Sequence, residues 1–293
     1  MDPPAWRTLW RMTDPREQVA GVFERSAPTY DAVGVAYFTD IGRRLVTLAE
    51  VQPGERVVDL GCGRGAALFP AATAVGPTGT VLGIDLAPTM VALTRADARV
   101  RGLAHVSVEM GDAQEPGLTS GRYDVVLSSL TVFFLPDPLA GLRTWRDATV
   151  DGGRLAITTF AGDDDPRWEW LSEIFPSRDP AASTPDHEAD RDVWTDDDNS
   201  PFSSTERVHE LLAEAGWRDP TSVEQDHDVR FDDADQWVQW SWSHGMRMYW
   251  EQLAESDRAA AETAARERLQ AMEADGLVLR TRVRYTTATA GYS

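Results

Sequence analysis

A chain of 293 residues with 42% hydrophobic content can bury a large core and sits near the upper size that a single core organises, so one catalytic domain with a substantial appendage is expected. The formal net charge of −20 argues against nucleic acid and anionic membrane surfaces as partners, because both are held by clustered Lys and Arg. MDPPAWRTLW carries two early prolines, no run of about 18 apolar residues occurs anywhere, and the single Cys62 cannot form an intramolecular disulfide, so a cytoplasmic, reducing location is expected.

From Asp14 to Glu50, apolar residues recur at helical spacing with a break at Ala27-Pro28-Thr29, which predicts two or three helices ahead of the first strand. Glu55 to Leu60 reads as a buried strand ending in glycines, Ala66 to Val75 as a helix, Thr80 to Ile84 as a strand and Pro88 to Arg101 as a helix stopped by Gly102. Strands follow at Val106–Met110 and Tyr123–Ser129, then a helix from Leu139 to Thr149 and a strand from Gly153 to Phe160. Such alternation specifies a doubly wound, mostly parallel α/β sheet covered by helices on both faces, with a ligand at the carboxyl ends of the strands.

Asp163 to Asn199 interrupts the pattern with Asp, Pro, Ser and scattered aromatics, among them Trp168, Trp170, Phe175 and Trp194. It reads as an insertion, either a solvated loop or a lid. Ser203-Ser204-Thr205-Glu206 has the spacing of a capping box and opens a helix that Gly216 closes. Ser222 to Phe231 reads as a strand, Ala234 to Ala274 as one or two long helices, and Leu277 to Thr287 as a closing strand, which suggests an antiparallel edge.

The densest chemical signal is Val57-Val58-Asp59-Leu60-Gly61-Cys62-Gly63-Arg64-Gly65. Gly61 and Gly63 allow a sharp turn and close approach to a ligand, and the following helix presents its positive amide end. A glycine-rich turn also serves dinucleotide enzymes, and Ala66 in the sixth position is tolerated there too. Asp85 ends the second strand, where its oxygens can accept from two ribose hydroxyls, a feature that both ligand classes share.

Gly111-Asp112-Ala113 after the third strand and Tyr123-Asp124-Val125-Val126-Leu127-Ser128-Ser129-Leu130 tip the balance. With the Asp59 to Gly65 turn, they resemble the class I S-adenosylmethionine-dependent methyltransferases, in the subgroup typified by ubiquinone and menaquinone biosynthesis and by many natural-product enzymes. Phe23 and Ala27-Pro28-Thr29-Tyr30-Asp31 resemble that subgroup's lead-in segment, and the resemblance covers about residues 20 to 160. It implies a seven-stranded Rossmann-like sheet with an antiparallel edge strand and a helical cap. Together with the pattern along the chain, this gives a helical segment contributing to the lid (1–50), a cofactor-binding core (51–160), an acidic insertion or lid (161–202) and the rest of the core (203–293), with a Trp-rich cap over about 233–275.

By the same resemblance the cofactor is S-adenosyl-L-methionine, held by Tyr30, Phe38, Asp59, Gly61, Gly63, Gly65, Asp85, Leu86, Met90, Asp112, Ala113 and Ser128. Asp59 would orient the ligand's ammonium, Asp85 the ribose, Asp112 the adenine amine and the Ala113 amide a ring nitrogen. Leu86 and Met90 would wall the adenine, the main chain near Ser128 would accept from the ammonium, and Tyr30 and Phe38 would fold over the sulfonium.

The C-terminal half departs from the resemblance. Trp237, Trp240, Trp242, Met246, Met248 and Trp250 crowd one helical stretch, suited to bounding a small hydrophobic acceptor, to ordinary core packing or to a homodimer interface. The reading favours O-methylation of a hydrophobic or aromatic secondary metabolite. N-, C- or peptide-carboxylate methylation and a non-methylating binding homologue remain as alternatives. A hydroxyl acceptor is helped by a general base; of His105, His187, His209, His227 and His244, the last is best placed, within the cap. The dispersed histidines and the acidic runs Asp163-Asp164-Asp165 and Asp196-Asp197-Asp198 do not make a metal cluster, so no metal is expected.

Overall fold

A computed structural model describes residues 15–162, 165–175, 200–272 and 276–291. His187, Trp194, Asp163, Asp164 and Asp196 to Asp198 lie outside the described residues. Seven strands form one sheet: β1 (Arg56–Leu60), β2 (Thr80–Asp85), β3 (Val106–Met110), β4 (Tyr123–Ser129), β5 (Thr149–Phe160), β6 (Trp217–Arg230) and β7 (Val278–Ala290). Their order is β3-β2-β1-β4-β5-β7-β6, parallel through β5, with β7 antiparallel to both β5 and β6. The strand order reverses between β1 and β4, and the ligand cleft of an open parallel sheet forms at such a point.

Helices cover both faces: α1 (Pro15–Ser26), α2 (Tyr37–Leu48), α3 (Leu68–Val75), α4 (Pro88–Val100), α5 (Pro138–Ala148), α6 (Leu171–Ile174), α7 (Thr205–Glu214), α8 (Ala234–Trp242), α9 (Arg247–Gln252) and α10 (Glu255–Met272). Successive side chains of the central strands serve opposite faces. Val57, Val125 and Leu127 pack into the core beneath α2 and α3, whereas Val58, Leu60 and Val126 pack beneath α5 and α7. Burial on both faces is why these strands read as continuous β-branched runs.

Several boundaries differ from the sequence reading; β5 begins at Thr149 and not Gly153, and β7 runs on to Ala290. β6 begins at Trp217, five residues before Ser222, because its pairing with β7 is interrupted between Arg218 and Thr221 and resumes afterwards. Asp219 there has φ of 50° and Pro220 offers no amide, so the irregularity mimics a strand start. The stretch from Ala234 folds as three helices instead of one or two, turning at Gly245 and again at Leu253. Those turns bring Trp250 back onto α8, where its ring stacks on Trp242 with centroids 5.6 Å apart and its indole donates to Ser241 Oγ at 2.9 Å. Finally, the start of the insertion is structured. Trp168, Trp170 and Phe175 are buried in the large core with the cap helices, so this part is neither a solvated loop nor a cover over the strand ends.

Candidate active site

A cleft opens at the carboxyl ends of β1, β2, β3 and β4, with an open volume of about 750 Å3 that is continuous with solvent. The glycine turn after β1 is tied to β2, since the amides of Gly61 and Cys62 both donate to the Ile84 carbonyl, at 2.8 and 2.9 Å. This places Asp85 against the turn. Its Oδ2 accepts from the Gly63 amide at 2.7 Å and its Oδ1 from the Ala87 amide at 2.9 Å, so one carboxylate sets both the turn and the start of α4 while keeping lone pairs for a ligand. Gly63 has φ of 47°, and a Cβ there would meet nothing within 4 Å: its open side faces the cleft. Gly61, with φ of 74°, is crowded instead, because a Cβ would lie 2.2 Å from Thr131 Cγ2.

Asp112 is engaged on both oxygens. The Gln114 amide donates to Oδ1 at 2.8 Å, and the Arg16 guanidinium pairs with Oδ2 at 2.8 Å. Arg16 opens α1, whose Val19, Ala20 and Phe23 also line the cleft; the spacing puts one stripe of the helix along the mouth. α1 is fastened at its other end. Glu24 accepts from the Thr89 amide at 2.7 Å at the start of α4, Arg64 donates to the Ala27 carbonyl at 2.9 Å, and Arg25 pairs with Glu251 of α9. The far wall is the loop after β4, where Leu130 adopts φ of 51°, a costly conformation for a non-glycine residue, held by a Thr158 Oγ1 contact to its amide at 2.8 Å.

Of the residues singled out from the sequence, Tyr30, Gly61, Gly63, Asp85, Leu86, Met90, Asp112 and Ala113 share this cleft. Asp59, Gly65, Ser128, Phe38 and His244 do not line it. Ser128 is fully buried and its Oγ donates to the Leu60 carbonyl at 3.0 Å, bridging β4 to β1, so the wall begins one residue later at Ser129. Phe38 stacks on Tyr30 at 4.6 Å between centroids and backs the wall that Tyr30 forms. Burial, with the Asp31 and Asp85 carboxylates adding to it, pushes the Tyr30 phenol well up and keeps it protonated.

Asp59 is 1% exposed, and neither carboxylate oxygen has a hydrogen-bond partner. Burial, with a further contribution from Asp85, pushes it up to about 7, and the nearby Leu68 amide relieves it only in part. An uncompensated carboxylate behind a glycine turn is complementary to a cationic ligand in front of it.

His244 belongs to the cap, away from the cleft. It is 7% exposed, packs against Phe38 and Trp240, and burial pushes it down to about 3. The Met246 amide approaches Nδ1 at 3.4 Å, which assigns the proton to Nε2. A buried neutral imidazole away from the cleft, whose Nε2 already carries a proton, is poorly suited to act as a general base, contrary to the sequence reading. Sequence reasoning missed Arg16, Val19 and Ala20, although their spacing with Phe23 was a helical signal, and it missed Thr131, Phe134, Leu135 and Pro136, which lie in an irregular loop without a periodic one.

An open parallel sheet with a glycine turn, carboxylates ending neighbouring strands and a helix across the mouth defines a Rossmann-like protein built to bind a nucleoside-type ligand. The comparisons with known proteins carry this further. The family described as methyltransferase domain matches residues 52–216. Nocamycin O-methyltransferase of Saccharothrix syringae is 39% identical over 250 residues, covering 83% of this chain and 87% of the relative. Aklanonic acid methyltransferase of Streptomyces sp. (strain C5) is 47% identical over 144 residues, 49% of this chain and 66% of the relative. Among solved structures, phosphoethanolamine N-methyltransferase 2 of Haemonchus contortus in complex with S-adenosyl-L-methionine has the same fold, with a TM-score of 0.56 at 15% identity over 96% of this chain and 61% of that one. The chain belongs to the methyltransferase domain family, and its cofactor is S-adenosylmethionine. The residues present fit that cofactor: the orphaned Asp59 carboxylate suits its positive charges, and the open face of Gly63 leaves room for close approach.

Proposed function

We propose that the chain transfers a methyl group to an oxygen of a small, hydrophobic or aromatic secondary metabolite. The bound cofactor supplies the electrophilic methyl as a sulfonium. Asp85 holds the ribose hydroxyls with the lone pairs its two backbone contacts leave, and Asp112 takes the adenine amine, sharing Oδ2 with Arg16 or releasing it. The amide of Ala113 meets an adenine ring nitrogen, and Leu86 and Met90 wall that base. Asp59 compensates the ligand's ammonium from behind Gly61 and Gly63, while Tyr30, backed by Phe38, closes over the reacting end and excludes water.

One observation carries the choice of acceptor chemistry. Among the described residues lining the cleft there is no histidine, and its tyrosine is held protonated. Methyl transfer in such a site proceeds by alignment of two reactants and suits an acceptor that needs no strong base, such as a carboxylic acid, enol, acidic phenol or amine. The choice of oxygen is supported by the relatives, one named nocamycin O-methyltransferase and the other aklanonic acid methyltransferase. The test is turnover with S-adenosylmethionine across a panel of aromatic acids, acidic phenols and amines in excess chelator, read by mass spectrometry. O-methyl products from the acids or phenols support the reading; exclusive N-methylation, or tight cofactor binding with no product, contradicts it.

A further inference from the structure

Thr131 stands at the N-cap position of a short helical turn, Val132–Phe134, where a threonine hydroxyl ordinarily accepts from an amide of the turn. Here it makes no capping contact. Its Oγ1 turns back and donates toward two carbonyls at once, that of Gly61 at 3.3 Å and that of Ser129 at 3.1 Å. Gly61 follows β1 and Ser129 ends β4, so the hydroxyl joins the two strands between which the sheet order reverses. Gly61, Ser129 and Thr131 all line the cofactor cleft. Two features of the backbone serve this arrangement. Leu130, between the two oxygen-bearing residues of the loop, is held in the left-handed region with φ of 51°, a conformation that persists only where the surroundings enforce it. Gly61 leaves the room that Thr131 occupies, since a Cβ there would lie 2.4 Å from Thr131 Oγ1.

A hydroxyl carries one hydrogen and two lone pairs. Between two carbonyls it satisfies one of them fully or both poorly, and both contacts are longer than the usual O–H···O distance. Among the described residues no group donates to Thr131 Oγ1 in return. Three oxygens thus converge on the cleft with a single hydrogen to share between them. A donor with several hydrogens on one centre completes such a set. Asp59, two residues before Gly61, is buried with no partner on either carboxylate oxygen, and its charge favours a cation in front of the turn. A primary ammonium has both properties, three donors and a positive charge.

We propose that the Thr131 hydroxyl is a cofactor-binding group which, with the carbonyls of Gly61 and Ser129, takes the ammonium at the amino-acid end of S-adenosylmethionine. The proposal rests on the cofactor reading of this cleft and adds to it a side chain that selects for the amine. Oγ1 accepts from the ammonium while its own hydrogen stays with one carbonyl, and the other carbonyl, relieved of its share of the hydroxyl, accepts from the ammonium directly. The threonine methyl, against Gly61, holds the hydroxyl in place. Serine would supply the same oxygen without that packing, and valine the same packing without the oxygen.

The experiment is calorimetric titration of the full chain with S-adenosylhomocysteine and with its desamino counterpart, in which hydrogen replaces the amine and nothing else changes. Thr131→Val is expected to bind S-adenosylhomocysteine about tenfold more weakly than the wild type, the worth of one hydrogen bond to a charged group, and to bind the desamino ligand as the wild type does. Thr131→Ser should restore the preference for the amine. Should the valine variant not fold, Thr131→Ala and Thr131→Ser give the same comparison, because both lack the methyl and they differ by the hydroxyl alone. Equal losses for the two ligands would mean that the hydroxyl only positions the loop, and unchanged affinity for both would place the ammonium elsewhere. Either result overturns the proposal while leaving the cofactor reading intact. A wild type that binds neither ligand would instead bring down the cofactor reading, and the proposal with it.

Discussion

The two halves of the sheet are organised by different physics. From β3 to β4, short parallel strands end in carboxylates and a glycine turn that are fixed by backbone amides: Gly63 and Ala87 onto Asp85, Gln114 onto Asp112. From β5 to β6, the long strands are bordered by ion pairs, Arg280 with Asp228 and Arg282 with Asp226, and by an aromatic cap in which ring contacts replace backbone contacts. In the first half each carboxylate takes one hydrogen bond from an amide two residues on, Ala87 for Asp85 and Gln114 for Asp112, with longer-range contacts from Gly63 and Arg16 completing it. The second is assembled from segments as far apart as Trp168 and Trp237. A change in the cap should therefore act on stability, and a change in the turn on the cofactor.

The largest expected effect follows from removing a cap ring. Trp250→Ala deletes a fully buried side chain, its stack on Trp242 and its hydrogen bond to Ser241, at a cost of about 3–5 kcal/mol in unfolding free energy. Chemical denaturation measures it, and the folded fraction should bind S-adenosylhomocysteine with unchanged affinity; a parallel loss of cofactor affinity would mean that the two halves are coupled. Asp85→Ala should behave in the opposite way, weakening the cofactor by about 1.5–3 kcal/mol through loss of a charged acceptor. Calorimetry with a circular dichroism check of folding tests this.

The pH dependence of stability separates the halves further. Asp59 has its folded pKa raised to about 7, so the stability associated with it is full below the ordinary 3.8 and is lost as pH rises from about 4 through 7. His244 has its folded pKa lowered from 6.5 to about 3, so its share is full above 6.5 and is lost as pH falls toward 3. The two oppose each other across the same window. Melting temperatures of Asp59→Asn should thus fall more steeply on acidification than wild type, and those of His244→Phe should fall more steeply toward neutrality. Identical pH profiles in all three proteins would refute both assignments. The smallest effect is expected from Glu24→Ala, which removes the acceptor for the Thr89 amide and should cost about 1 kcal/mol of stability, with α1 loosened over the cleft.

How much of this could be read in the sequence follows the same division. Asp85, Gly63 and Asp112 were legible because strand ends, glycines and carboxylates fall at fixed offsets, and the mostly parallel sheet followed from alternation, though the order of its strands did not. Asp59 was legible as a residue, but its burial behind the turn was not. Arg16 escaped notice because its partner Asp112 is 96 positions away, and no local pattern announces such a contact. In the cap, helical periodicity indicated that Trp237 and Trp240 lie in a helix, yet it could not reveal which indoles find acceptors, since Val278 and Ser241 are supplied by other segments or by the helix itself. For His244, proximity in sequence to Trp242 suggested a reactive position, whereas the fold surrounds it with rings and removes the water that a base would need.

The central claim is that the cleft between β1 and β4 binds an S-adenosyl ligand through Asp85 and the glycine turn. Calorimetric titration of the protein with S-adenosylhomocysteine, with NAD as the control ligand and Asp85→Ala as the control protein, tests it most directly. The account predicts one-to-one binding of S-adenosylhomocysteine to the wild type, little response to NAD and a clear loss of affinity in the variant. Preference for NAD, or equal affinity of both proteins for S-adenosylhomocysteine, would contradict it.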